Sequence, residues 1–276
     1  MIAPLKRWAR AGLLAVLVVL AGSACAPPVD SPAGAPTTPT GHHGTQDASP
    51  EGGAATAPAG DAASVDAAEE DAADEDAADE DVERALREAT VRVRATGCGR
   101  LGTGSGFMLD RSMLVTNRHV VDDATQVQLN TWDGVSLQGA FVAVAFYSDL
   151  ALAALDDELA TTIPLAPHDP RPGEPVIVAG YPGGGVQDAS PGTVLDYIDA
   201  RDVDFPDNVG KLMRLDATVR PGSSGGPVAD HNGEVVGVVY ASNGRYGFAI
   251  PVSTLRSLAD RVRSGDAAGI GPPRGC

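Results

Sequence analysis

Three side chains of the kinds used in nucleophilic catalysis occur along the chain in the order His, Asp, Ser. His119 follows a short apolar run, Asp149 precedes another, and Ser224 lies in the glycine-rich string Pro221–Pro227. A serine hydroxyl is a weak nucleophile near neutral pH, so an imidazole must take its proton and a carboxylate must hold that imidazole in the right tautomer. The set predicts acyl transfer with Ser224 as nucleophile, His119 as base and then acid, and Asp149 as its orienting group.

The glycines around Ser224 predict an oxyanion hole. They allow the backbone to turn two N–H groups toward a developing negative charge, and the expected donors are the N–H groups of Gly222 and Ser224. Each motif alone has an ordinary structural explanation, since a Gly-Ser-rich string is usually a turn. Their conjunction favours catalysis, because the chain has only five histidines and two of them lie in an acidic segment with little apolar character.

Charge is concentrated in one segment of the 276-residue chain, whose formal net charge is −17. Residues 30–90 carry 16 acidic and two basic side chains, whereas residues 91–276 carry 21 acidic and 15 basic ones. This balance argues against a nucleic-acid-binding protein, which needs a basic surface. From residue 30 to 81 there is no Leu, Ile, Phe, Trp, Tyr or Met. We therefore expect residues 26–90 to be a disordered Pro/Ala/Asp/Glu-rich tether and residues 91–276 to be the folded domain.

The first 25 residues have the pattern of an export signal. Three basic residues precede an apolar run from Ala11 to Ala21, and small residues lead to Cys25. Three interpretations are open: a lipoprotein signal with Cys25 acylated, an ordinary cleaved signal, or a short uncleaved anchor. All three place the domain outside the cytoplasm, held at the cell envelope or secreted, with membrane contact only through this N-terminal segment.

Beyond residue 91, short runs rich in Val, Leu and Thr alternate with Gly, Pro and Asp clusters. Regularly punctuated short strands predict an all-β sandwich or barrel. One helix is expected over residues 253–264, with Ser253 as its N-cap. Cys98 and Cys276 could form a disulfide in an oxidising compartment, although sequence alone does not show that they lie within bonding reach.

The motif segments around His119, Asp149 and Ser224 resemble those of chymotrypsin-fold serine proteases, especially the bacterial HtrA-like branch. Gly180–Gly185 is similar to a segment of the MarP-type extracytoplasmic serine proteases of mycobacteria and relatives. The resemblance implies two six-stranded antiparallel Greek-key β-barrels, about residues 91–160 and 170–251, followed by a C-terminal helix. It also implies a serine endopeptidase acting on polypeptides, with no metal ion and no cofactor.

Further site residues follow only from this resemblance. It implies a primary substrate pocket at Thr218, Ser242 and Gly247, which offers no carboxylate for Arg or Lys, and a disulfide between Cys98 and Cys276. The chain departs from the family at Tyr240, where a small hydroxyl residue commonly supports the catalytic carboxylate. Only 52 residues follow Ser224. This leaves no room for the PDZ domain of many HtrA relatives, so an oligomer is not implied.

Two functions from other classes compete with the peptidase. One is a catalytically inactive relative that keeps the barrels as a binding module at the envelope. The other is a tethered acidic surface lipoprotein without catalysis, which accounts for residues 25–90 but leaves the three motif segments unexplained.

Overall fold

The computed structural model describes residues 80–203, 205, 209–266, 268–272 and 274. Every described residue belongs to one compact unit. The predicted export signal, Cys25, most of the predicted tether and Cys276 lie outside the described residues. Among the residues that are described, no helix is both long and apolar enough to cross a membrane.

The described chain is built mainly of strands. Helix α1 covers residues 80–89, α2 is Arg118–Val121 and α3 is Val252–Ser264. The strands are β1 Thr90–Gly97, β2 Arg100–Asp110, β3 Met113–Asn117, β4 Gln126–Asn130, β5 Ser136–Leu137, β6 Gly139–Ala145, β7 Leu150–Leu155, β8 Pro175–Gly180, β9 Asp188–Asp199, β10 Lys211–Ala217, β11 Pro227–Ala229, β12 Val235–Ser242, β13 Gly247–Pro251 and β14 Ile270–Gly271.

The first seven strands and β14 form an antiparallel sheet in the order β14-β6-β7-β3-β2-β1-β4-β5. Its core side chains are mostly aliphatic and include Val91, Met108, Leu114 and Ala151. The expected six strands are present, and two strands of two residues each, β5 and β14, are added at the edges. Strands this short carry no periodic pattern that a sequence could reveal.

The remaining six strands form a closed antiparallel barrel in the order β10-β13-β12-β11-β8-β9. Closure is completed by β9, which pairs with both β8 and β10. Strand β12 is buried from Val235 to Tyr240 and half-buried at Ala241 and Ser242. The predicted all-β, two-barrel architecture with a C-terminal helix is confirmed.

A third hydrophobic cluster joins the two sheets. It combines Phe107 and Leu150 from the first sheet with Phe248 from the barrel and Leu255 from α3. Because these side chains are almost completely buried, the two halves share one core. The cleft between them is therefore fixed by apolar packing.

Helix α1 lies at the point where we expected the tether to end. Leu86 and Ala89 are buried in the shared cluster, and the Thr90 hydroxyl donates to the Leu86 carbonyl oxygen at 2.5 Å. Helix α1 therefore packs against the domain although its residues precede position 91, where we expected the domain to begin. Residues 80–89 are acidic in composition, which does not reveal that the apolar Leu86 and Ala89 face the core.

The start of α3 also differs from expectation. Pro251 is the N-cap residue and makes no side-chain cap, whereas Ser253 lies inside the helix. Asp169 accepts hydrogen bonds from the Ser253 N–H at 2.9 Å and from its hydroxyl at 2.8 Å. A carboxylate from a distant loop therefore satisfies the helix N-terminus, which local sequence patterns do not reveal.

Candidate active site

Pairing of β3 with β7 brings His119 beside Asp149. Asn117, the last residue of β3, lies opposite Leu150, the first residue of β7. The Arg118 N–H and the Asn117 amide both donate to the Asp149 carbonyl oxygen, at 2.8 and 3.2 Å. The turn into α2 is thereby tied to the residue that precedes β7.

The Asp149 carboxylate is fully buried and holds the His119 ring. Its Oδ2 lies 2.6 Å from His119 Nδ1, and its Oδ1 accepts from the His119 backbone N–H at 3.0 Å. Asp149 has φ of +54°, a left-handed conformation that Asp tolerates better than most residues. The pair is the arrangement that fixes an imidazole tautomer for proton transfer.

Ser224 lies on a turn whose path requires glycine on both sides. Gly222 has φ of +96°, and a Cβ there would lie 2.6 Å from the Tyr181 carbonyl oxygen. Gly225 has φ of +88°, and a Cβ there would lie 2.5 Å from the Thr116 hydroxyl oxygen. The nucleophile turn therefore lies against the end of β3, just before His119 in the chain.

Ser105 on β2 pins this turn and was missed from the sequence. Its hydroxyl donates to the Gly222 carbonyl oxygen and accepts from the Tyr181 N–H, each at 2.8 Å. Its backbone N–H donates to the Ser224 carbonyl oxygen at 2.8 Å.

Tyr181, whose N–H donates to Ser105, is itself buried. Burial raises the pKa of its hydroxyl to about 12, and the nearby Arg92 cation opposes that shift.

The Ser224 hydroxyl donates to the Tyr240 carbonyl oxygen at 3.1 Å. Within the described part of the chain no hydrogen bond joins Ser224 to His119. Catalytic hydrogen bonds are often long or misaligned without substrate. The N–H groups of Gly222 and Ser224 donate to no protein group among the bonds of the described residues.

Tyr240 packs against the catalytic histidine. Its ring meets the His119 ring edge-to-face with centroids 5.8 Å apart and meets Phe205 in the same way at 5.4 Å. Tyr240 is buried, so its ring fixes one face of the imidazole by contact. Tyr240 is the position where the chain was expected to depart from the family's small hydroxyl residue. Its large ring contacts the His119 ring instead.

Two of the three implied pocket residues line one cleft. Thr218 and Ser242 border a cavity of about 360 Å³ together with Asp216 and Arg245. At Gly247 a Cβ would lie 2.7 Å from Val219 Cγ2, so Val219 fills the space next to that glycine. The sequence did not single out Val219, Asp216 or Arg245.

The charged groups around the pair include Arg118, which the sequence did not single out either. Its Nε lies 3.4 Å from Asp149 Oδ1. No group of three or more His, Cys, Asp or Glu side chains among the described residues is placed to hold a metal ion.

The described chain combines two β-stranded units with a buried Asp149–His119 pair and a glycine-flanked serine turn. Residues 104–238 match the family described as the trypsin-like peptidase domain. Residues 104–238 are thus similar to trypsin-like peptidase domains, and the similar proteins include serine proteases of the HtrA and DegP-like group.

The similar proteins agree in class. The putative serine protease HhoB of Synechocystis is 32% identical over 167 residues, covering 58% of this chain and 40% of the relative. Serine protease Rv3671c of Mycobacterium tuberculosis is 27% identical over 199 residues, covering 69% of this chain and 50% of the relative. The chain thus spans between two fifths and half of the length of these relatives.

Solved structures show the same fold. The active form of Rv3671c protease from M. tuberculosis has a TM-score of 0.59 and 26% sequence identity, covering 71% of this chain and 86% of that one. Its inactive form has a TM-score of 0.57 over 65% of this chain and 91% of that one, again at 26% identity.

Replacing Ser105 tests how firmly the nucleophile turn is held. We expect Ser105→Ala to lower the free energy of unfolding by roughly 1–3 kcal/mol, because the buried Gly222 carbonyl and Tyr181 N–H both lose a partner. Equilibrium denaturation measures the change, and Ser112→Ala, at an exposed serine, is the control. Equal stability of the two variants would contradict this role.

Proposed function

We propose that this chain is a serine endopeptidase that hydrolyses peptide bonds through an acyl-enzyme at Ser224. The observation that carries the proposal is the buried Asp149 carboxylate, 2.6 Å from His119 Nδ1, beside a glycine-flanked serine turn. The trypsin-like family match and the serine protease relatives support the same chemistry.

In the proposed reaction the Ser224 hydroxyl first turns from the Tyr240 carbonyl oxygen to His119 Nε2. Oγ attacks the substrate carbonyl carbon while His119 takes the hydroxyl proton, and Asp149 stabilises the imidazolium. His119 then gives that proton to the leaving amine as the C–N bond breaks. Water, deprotonated by His119, then attacks the acyl carbon, and His119 returns that proton to Ser224 Oγ as the ester C–O bond breaks and the acid product leaves. No metal ion or cofactor is required by these steps.

The oxyanion of each tetrahedral intermediate would be bound by the N–H groups of Gly222 and Ser224. Two features support this assignment: neither N–H is used by a protein group in the described chain, and Ser105 orients the Gly222 peptide. Loss of one such donor typically lowers the rate by about 10²–10³-fold. The orientation of the turn should therefore affect the rate strongly, although less than loss of the nucleophile itself.

The proposal is tested by labelling with a fluorophosphonate and by peptide hydrolysis. Wild-type protein should label and cleave, Ser223→Ala should keep both activities, and Ser224→Ala should not label and should lose cleavage on the order of 10⁶-fold. Absence of both activities in the wild type would instead favour the inactive binding module. The Ser224 hydroxyl bonded to the Tyr240 carbonyl oxygen is the observation that favours this alternative.

We further propose that the residue before the scissile bond is small or medium-sized and uncharged. Thr218, Ser242 and Gly247 are assigned to the primary pocket, and Val219 narrows it next to Gly247. Asp216 lies in the same cleft, but Arg245 lines that cleft too. The Asp216 carboxylate is therefore accompanied by the Arg245 cation. The residues lining this cleft offer no unbalanced negative charge that would bind an Arg or Lys side chain.

A peptide library separates these specificities. Wild-type protein should prefer Ala, Val or similar residues before the cleaved bond, because Val219 fills the space beside Gly247 and the lining charges of Asp216 and Arg245 are opposite. Thr218→Asp should increase cleavage after Arg and Lys, since it adds a second carboxylate. A wild-type profile dominated by Arg or Lys would contradict the assignment.

We propose an extracytoplasmic location, with Cys25 acylated at the envelope and Cys98 bonded to Cys276. The structure has Cys98 as a disulfide cysteine, which supports the pairing. Arg274, two residues before Cys276, is bound to the loop after α2: the Asp123 N–H donates to its carbonyl oxygen at 2.7 Å. Halomonas DegP-like endoprotease, a relative, is described as periplasmic.

Mass spectrometry of the protein isolated from membranes tests all three cysteines at once. Non-reducing peptide mapping should find Cys98 and Cys276 in one linked peptide and a lipid-modified Cys25 at the new N-terminus. Free thiols at both Cys98 and Cys276 would contradict the disulfide, and an unmodified peptide spanning Cys25 would contradict the lipoprotein anchor.

A further inference from the structure

We propose that Arg118 is a positioning residue for the Asp149–His119 pair, and that Asp122 and Arg274 hold it in place. The inference rests on the proposed peptidase function and assigns to the C-terminal segment a part in supporting the active site. Arg118 immediately precedes His119 in the chain.

Arg118 is a buried cation between two carboxylates. Its Nε lies 3.4 Å from Asp149 Oδ1, and its Nη1 lies 3.4 Å from Asp122 Oδ2. Arg118 and Asp122 side chains are each 9% exposed, and Asp149 is not exposed at all. Burial of a charge is unfavourable unless it is paired, so the guanidinium has a defined electrostatic function here.

Asp122 is in turn bound by Arg274. The Arg274 Nε and Nη2 lie 3.0 and 2.7 Å from Asp122 Oδ2, and its backbone N–H donates to Asp122 Oδ1 at 2.8 Å. The Phe146 ring lies beside both guanidinium groups, 6.0 Å from Arg118 and 5.6 Å from Arg274. A line of alternating charges thus runs from the C-terminal segment to the catalytic carboxylate.

The effect of this line on catalysis follows from the charge on Asp149. In the resting enzyme His119 must be neutral to accept a proton, and a cation close to a buried carboxylate favours its ionised form. Arg118 supplies that cation and occupies the Oδ1 side, leaving Oδ2 for His119 Nδ1. Tyr240 presents a ring to His119 rather than a small hydroxyl to Asp149, so the guanidinium is the additional polar support.

Several other titratable or charged groups surround His119 and belong to the same balance. In the described part of the chain they are Asp149 before β7, Arg118 and the adjoining Asp122 and Asp123 at α2, Arg100 on β2, Tyr240 on β12 and Arg274 near the C-terminus. Removing Arg118 leaves Asp149 and Asp122 with less positive charge nearby. A protonated His119 is then favoured, so the acidic limb of activity should move to higher pH.

The experiment compares full-chain Arg118→Met and Arg118→Lys with wild type. Arg118→Met should lower kcat roughly 10–100-fold with little change in KM, and it should move the acidic limb of kcat/KM to higher pH. Arg118→Lys should restore part of the loss, because it keeps the charge but cannot reach both carboxylates equally well. The matched control is Arg111→Met, at an exposed arginine paired with an exposed Glu158.

An NMR titration of the His119 ring provides a readout that does not need activity. Its midpoint should move upward in Arg118→Met, and in the same direction but less in Arg274→Ala, which alters an exposed residue and serves if Arg118→Met fails to fold. Profiles and midpoints equal to those of Arg111→Met would overturn the inference. Failure of the proposed function is distinguished from this result, because wild-type protein would then neither label nor cleave.

Discussion

The constraint on which the site depends is the burial of the Asp149 carboxylate. An isolated ionised carboxylate in an apolar interior is strongly unfavourable, so the surrounding chain has to pair it. His119 supplies two contacts, through Nδ1 and through its backbone N–H, and Arg118 supplies a third charge-compensating contact. Pairing of β3 with β7 and the left-handed conformation of Asp149 are the backbone features that make these contacts geometrically available.

The turn that carries the nucleophile is likewise held by contacts from another part of the fold. Ser224 lies on a turn from the second barrel, yet Ser105 from the first sheet bonds to the residues on which the oxyanion hole is proposed to depend. A mostly apolar cluster joins the two halves behind this contact, and α1 contributes Leu86 to it. Packing remote from the cleft therefore controls the relative position of His119 and Ser224.

Local patterns predicted the strands and the order His119, Asp149, Ser224, because apolar runs, glycine turns and catalytic residue types can be recognised from the sequence alone. They could not predict contacts between distant segments. Ser105 is one serine in a glycine-rich strand, Arg118 is an ordinary basic residue, and Leu86 is a single apolar side chain in an acidic run. Asp169, which caps α3 in place of Ser253, was missed for the same reason. Their roles depend on tertiary neighbours.

The central claim is that Ser224 forms the acyl-enzyme. The most direct measurement is tandem mass spectrometry of the protein after reaction with a fluorophosphonate, which locates the covalent adduct to a single residue. We expect one adduct per chain, on Ser224. An adduct on Ser223 or elsewhere, or no adduct in folded protein, would contradict it.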